Sequence, residues 1–80
     1  MNAYVATFHT HLSAMLTCRA LTAMGLDARM APVPRQLSSS CGTGVFYTAE
    51  EPHLSAMDED TEGVYEQQNG QYTLLLKNEP

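Results

Sequence analysis

The chain is expected to fold as an α/β sandwich, one sheet covered by one or two helices. Three observations predict it. Strand-like and helix-like stretches alternate early in the sequence. A two-residue hairpin signal, Asn69-Gly70, sits near the end. About 44% of the residues are apolar, with no tryptophan, which suits a thin two-layer core and argues against disorder. Eighty residues make one domain, and a chain this short buries a modest share of its surface.

The elements follow in order. Ala3 to Phe8 is rich in β-branched and aromatic residues and reads as a strand, with Tyr4, Ala6 and Phe8 on one face and Val5 and Thr7 on the other. Both sets are largely apolar, as in a central strand. Thr10 is a candidate helix N-cap, and His11 to Met24 contains neither proline nor glycine. Gly25 suits the left-handed C′ position that ends a helix. The polar positions Ser13, Thr17, Arg19 and Thr22 form no clean stripe, so the helix is predicted without its orientation. Met15, Met24, Met30 and Met57 read as core filler, and Cys18 as a small buried hydrophobe.

Leu26 to Val33 is a second strand whose pairing ends at Pro32 and Pro34, and Thr43 to Thr48 is a third, its antiparallel neighbour. Glu50 to Asp60 forms either a short second helix or an irregular crossover. Val64 to Gln68 and Gln71 to Leu76 flank Asn69-Gly70, whose residues both tolerate the positive φ of a type I′ turn. In a two-residue register Tyr65, Tyr72 and Leu74 share a face, opposite Glu66. The order is β-α-β-β-(α)-β, ferredoxin-like, with a C-terminal hairpin.

The formal charge is −5, with nine acids mostly after residue 49 and only four Lys or Arg. So few bases cannot form a phosphate-binding stripe, which disfavours nucleic acid as a partner. The acidic half serves solubility or presents a surface to a basic protein. The first sixteen residues lack a basic leader region, and no apolar run approaches the roughly 18 residues of a membrane span. Two cysteines without an export signal read as reduced thiols, and the expected location is the cytoplasm.

The loop from Ala31 to Gly44 concentrates the chemistry: Pro32, Pro34 and Arg35, then Ser38, Ser39, Ser40, Cys41, Gly42 and Gly44. A nucleophilic cysteine needs surroundings that stabilise the thiolate. Gly42 and Gly44 let backbone N–H groups approach the sulfur, the serines offer hydroxyls or a helix cap, and Arg35 adds a cation. The same composition also suits a plain turn, and spacing alone leaves both readings open. His9 and His11 lie two apart and, with His53, show no metal-ligand spacing; no metal or other cofactor is expected. His9 or His11 is a candidate base for Cys41, but no orienting third residue is evident. A redox role pairing Cys41 with Cys18 requires their Cα atoms within about 7 Å.

The run Tyr4-Val-Ala-Thr-Phe-His9, the following helix, Gly25-Leu26, Pro32-Val-Pro-Arg35 and Ser38-Ser-Ser-Cys-Gly42 together resemble the DUF3343 family of selenium/sulfur carrier-like proteins over about residues 3 to 48. The resemblance implies a small α/β domain spanning residues 1–80, in which Cys41 holds sulfur or selenium as a persulfide or perselenide. Gly42 matches the glycine after it, and Pro34-Arg35 match the pair that opens the loop. The family's second helix is poorly matched by Glu50 to Asp60, and the Asn69-Gly70 hairpin looks like a local elaboration. A carrier needs an accessible thiol and a docking surface, rather than the base and cleft of a true catalyst. The implied partners are a cysteine desulfurase-type donor and an acceptor protein. Beside it stand the redox reading and a non-enzymatic interaction module in which the Cys-Gly loop is structural and the acidic half docks on a partner; the exposed sheet edge also allows a homo-oligomer.

Overall fold

A computed structural model describes residues 1–37 and 39–78. Its elements are β1 (Asn2–Phe8), α1 (His11–Ala23), β2 (Asp27–Pro32), β3 (Thr43–Ala49), the 3-10 turn η1 (Leu54–Ala56), β4 (Thr61–Gln68) and β5 (Gln71–Lys77). The five strands form one antiparallel sheet in the order β2-β3-β1-β4-β5, with α1 on one face. The first four strands therefore have the expected ferredoxin-like arrangement. The second helix shrinks to the three residues of η1, because Pro52 and few apolar positions give this segment little to propagate or bury.

Local chemistry sets the ends of α1. Thr10 Oγ1 accepts from the Ser13 N–H at 3.1 Å. At the other end Gly25 has φ +84°, and the Leu26 and Gly25 N–H groups donate to Leu21 O and Thr22 O, a Schellman cap. Asn69 and Gly70 both have positive φ, as a type I′ hairpin requires. The hairpin keeps its two-residue register as far as Tyr65–Leu74, then shifts so that Val64 opposes Leu76. The shift returns Leu76 to the core side of the sheet, where it packs against the buried cluster.

The core lies between α1 and the sheet: Tyr4, Ala6, Phe8, Val45, Tyr47, Ala49 and Val64 from the strands, Ala14 and Leu21 from the helix. The other sheet face is also closed at its centre, with Val5 and Thr7 fully buried. Val33 folds over Gly44 there, and the Tyr65 ring over Gly63. A Cβ on Gly44 would lie 3.0 Å from the Ala6 carbonyl oxygen, so glycine is required at 44 by close approach rather than by a bend.

The helix is seated on small side chains. Ser13, Ala14, Thr17 and Leu21 face the sheet, whereas Leu12, Met15 and Leu16 face solvent. Met15 and Met24, expected in the core, are exposed; Met30 and Met57 do pack against it. Cys18 is half-buried against the core. Small residues bring the helix axis close to the sheet, which leaves no room beneath it for the larger ones.

Tyr47 stacks on Tyr4 at 5.2 Å, and its hydroxyl donates to Pro52 O at 2.6 Å, tying the 50–57 segment to the sheet. Burial, with Tyr4 adding to it, pushes the Tyr47 phenol well above the usual tyrosine range. The folded state therefore keeps a proton that the unfolded chain releases above about pH 10. That contribution is intact below pH 10 and is lost as pH rises through the folded value. The denaturation midpoint, followed by circular dichroism, is expected to fall above pH 10 and to fall less in Tyr47→Phe.

Candidate functional site

The Cys41 loop closes at the end of the sheet where β1 and β2 finish and β3, β4 and α1 begin. Its neck is the Val33 N–H donating to Gly42 O at 3.0 Å, one step beyond the last β2–β3 pair. Pro34 opens a turn closed by the Leu37 N–H on the Pro34 carbonyl, with Arg35 exposed inside it. Ser38 lies outside the described residues. Gly42 has φ +74°, the left-handed conformation that lets the chain turn back into β3.

Two serines fasten the loop, each to a different strand. Ser39 Oγ donates to Phe8 O at 3.1 Å, the last carbonyl of β1. Ser40 meets Glu62 on β4 twice: its N–H donates to Oε1 at 3.1 Å and its hydroxyl to Oε2 at 3.2 Å. His9 completes the cluster, with Nδ1 3.4 Å from Ser40 Oγ and 3.8 Å from Glu62 Oε2. The carboxylate thus grips the residue before Cys41 from β4, next to the Ser39 bond to β1.

Cys41, the residue after these two fastenings, is half-buried. Its S–H donates to Thr43 O at 3.5 Å, and its sulfur lies 3.9 Å from Ser39 Oγ. Among the described residues these are the sulfur's hydrogen bonds, and no hydrogen bond or ion pair involves the Arg35 guanidinium. The thiol is held as a donor to its own chain.

The structure brings together His9, Ser39, Ser40 and Cys41, which the sequence had marked, and Glu62, which it had not. Nothing local flags Glu62: it lies 22 residues from Ser40 and meets it only through the β1–β4 pairing. His11 is exposed at the start of α1. His53 sits beside Glu51 at 3.7 Å, following β3, and belongs to a different part of the fold from His9. Among the described residues no three His, Cys, Asp or Glu side chains are grouped to hold a metal ion. A shallow pocket of about 140 Å³ lies on the open sheet face around Arg29, Phe46 and Gln67, and no loop residue lines it. No helix among the described residues is long and apolar enough to cross a membrane.

The family model described as "Putative Se/S carrier protein-like" matches residues 3–66. The matched span runs beyond the expected residues 3 to 48, through η1 and into β4; it includes Cys41 and Glu62 and stops before β5. No curated protein and no solved structure matches the chain. The match covers well over half of the sequence, and the chain belongs to this Se/S carrier protein-like family.

Proposed function

We propose that the protein carries sulfur or selenium on Cys41 and hands it to a partner protein. The observation that carries this reading is the family match over the whole Cys41 site, and the placement of that thiol on a loop at the sheet end supports it. In the sulfur case a donor persulfide meets the Cys41 thiolate, which attacks the outer sulfur. The donor's S–S bond breaks, a new one forms on Cys41, and the donor leaves as a thiolate. Written with protons, R–S–SH and Cys41–SH give R–SH and Cys41–S–SH, with no oxidant consumed. A second exchange of the same kind delivers the sulfur to an acceptor.

Each loop residue has a part in this scheme. Pro34 and Gly42 shape the ends of the loop, Ser39 and Ser40 fasten it to β1 and β4, and Arg35 contributes an exposed cation on the same loop. The donor class is a cysteine desulfurase, whose own persulfide is the required reactant. Incubation with such an enzyme and cysteine, followed by intact mass, is expected to add one sulfur to the wild type and to Cys18→Ser, and none to Cys41→Ser. No gain with several donors would favour a module in which the Cys-Gly loop is structural.

A further inference from the structure

Two protons serve three contacts around Cys41. The contacts are Cys41 Sγ with Thr43 O at 3.5 Å, Ser39 Oγ with Phe8 O at 3.1 Å, and Sγ with Oγ at 3.9 Å. The thiol and the Ser39 hydroxyl carry one proton each, and the carbonyls carry none. While the S–H donates to Thr43 O and the hydroxyl to Phe8 O, the third contact is left without a proton.

Ionisation of the thiol changes the count. Thr43 O then faces an anion with no proton between them, and the single proton left, on Ser39 Oγ, can go to Phe8 O or to the sulfur. A hydrogen bond to an ionised acceptor is about twice as strong as one to a neutral acceptor, so the hydroxyl turns to the sulfur. The other charged or titratable groups nearby do not compete. His9 and Glu62 meet Ser40, and among the described residues neither they nor Arg35 hydrogen-bond the sulfur.

We infer that Ser39 is a catalytic residue of sulfur transfer: its hydroxyl donates to Cys41 Sγ when that atom is anionic and to Phe8 O when it is not. The inference rests on the carrier reading and names the residue that serves the reacting sulfur within it. Where the charge sits sets the direction. In delivery an acceptor attacks the outer sulfur, the S–S bond breaks, and its electron pair arrives on Sγ. Cys41 leaves as a thiolate and later takes a proton from solvent. In loading the charge departs from Sγ to the donor. A hydroxyl aimed at Sγ therefore stabilises the transition state of delivery as charge develops there. In loading it raises the fraction of thiolate but makes each thiolate less nucleophilic, so the two effects partly cancel.

The test is made in a Cys18→Ser background, with Cys41 loaded by glutathione persulfide and cyanide as the acceptor. Cys41–S–SH and CN⁻ give Cys41–SH and SCN⁻, read as thiocyanate. Ser39→Ala is expected to slow this delivery about fivefold. The pH of half-maximal alkylation of unloaded Cys41 is expected to rise by about 0.7, the same factor on a logarithmic scale. Ser39→Thr keeps the hydroxyl and should stay close to the wild type. Ser40→Ala loosens the same loop without removing a contact to the sulfur, and should leave the alkylation midpoint in place. A serine that merely fastened the loop to β1 would give the opposite sign: Ser39→Ala would expose the thiol and speed both reactions.

Delivery from Ser39→Ala as fast as from the wild type overturns the inference, and so does an alkylation midpoint that stays in place. Ser39→Thr behaving like Ser39→Ala overturns it too. If Ser39→Ala does not fold by circular dichroism, Ser39→Val against Ser39→Thr, alike in shape and different in the hydroxyl, makes the same comparison. Failure of Cys41 to take sulfur from glutathione persulfide and from a desulfurase with cysteine overturns the carrier reading instead. The alkylation profiles then still decide whether Ser39 serves the anion.

Discussion

Phe8→Ala is expected to unfold the protein, or leave it barely folded, at room temperature. Phe8 is the largest fully buried side chain, at the end of β1 where the core meets the Cys41 loop. Truncating a buried phenylalanine costs about 3–5 kcal/mol, combining lost transfer energy with a residual cavity. At roughly 0.05–0.15 kcal/mol per residue, a domain of 80 residues has about 4–12 kcal/mol in all. One side chain therefore accounts for about a quarter or more of the total. Urea denaturation followed by circular dichroism measures it, with Leu12→Ala as the contrast, since Leu12 is 62% exposed and its truncation should move the midpoint little. Equal shifts in the two variants would mean that the core is not where the burial places it. The Phe8 carbonyl also anchors Ser39, so near the transition the loop should loosen together with the core.

Glu62→Ala is expected to release the loop while leaving the fold intact. The carboxylate accepts two hydrogen bonds from Ser40, the residue before Cys41, and both partners are partly in water. Hydrogen bonds to a charged group contribute about 1.5–3 kcal/mol when well shielded, so the exposed pair here contributes about 1–2 kcal/mol together. Losing it shifts the loop's closed-to-open ratio by a factor of about 5–30. Alkylation of Cys41 near neutral pH should accelerate by that factor, and the amide hydrogens of the loop should exchange faster. Glu62→Gln separates clamp from charge: its amide oxygen can still accept the Ser40 N–H, so it should stay close to the wild type in exchange. If Gln exchanges as fast as Ala, the negative charge rather than the grip is what holds the loop. If neither variant changes alkylation, Glu62 does not control access to the thiol.

These two residues mark how much of the protein could be read directly. Phe8 was legible as a strand residue facing the same way as Tyr4 and Ala6, and the Thr10 cap, the Gly25 stop and the Asn69-Gly70 turn all fell where the structure has them. Those signals act within a few residues, through φ preferences and single hydrogen bonds, so the sequence carries them undiluted. The loop was legible too, as a concentration of proline, serine and glycine around Cys41.

Other features depend on which distant segments meet. By itself the sequence determined the elements, their order, the strand faces and the loop that bears the thiol. Only the tertiary structure decided how α1 rotates on the sheet, because close packing chose Ser13, Ala14 and Thr17 for the interface and turned Leu12 and Leu16 outward. It alone decided that Glu62 closes on Ser40 across 22 residues, and that the Asp58 N–H reaches Thr17 of the helix. The physical reason is the same in each case: a side chain's local preference is a fraction of a kcal/mol, whereas strand pairing and helix seating commit many contacts at once.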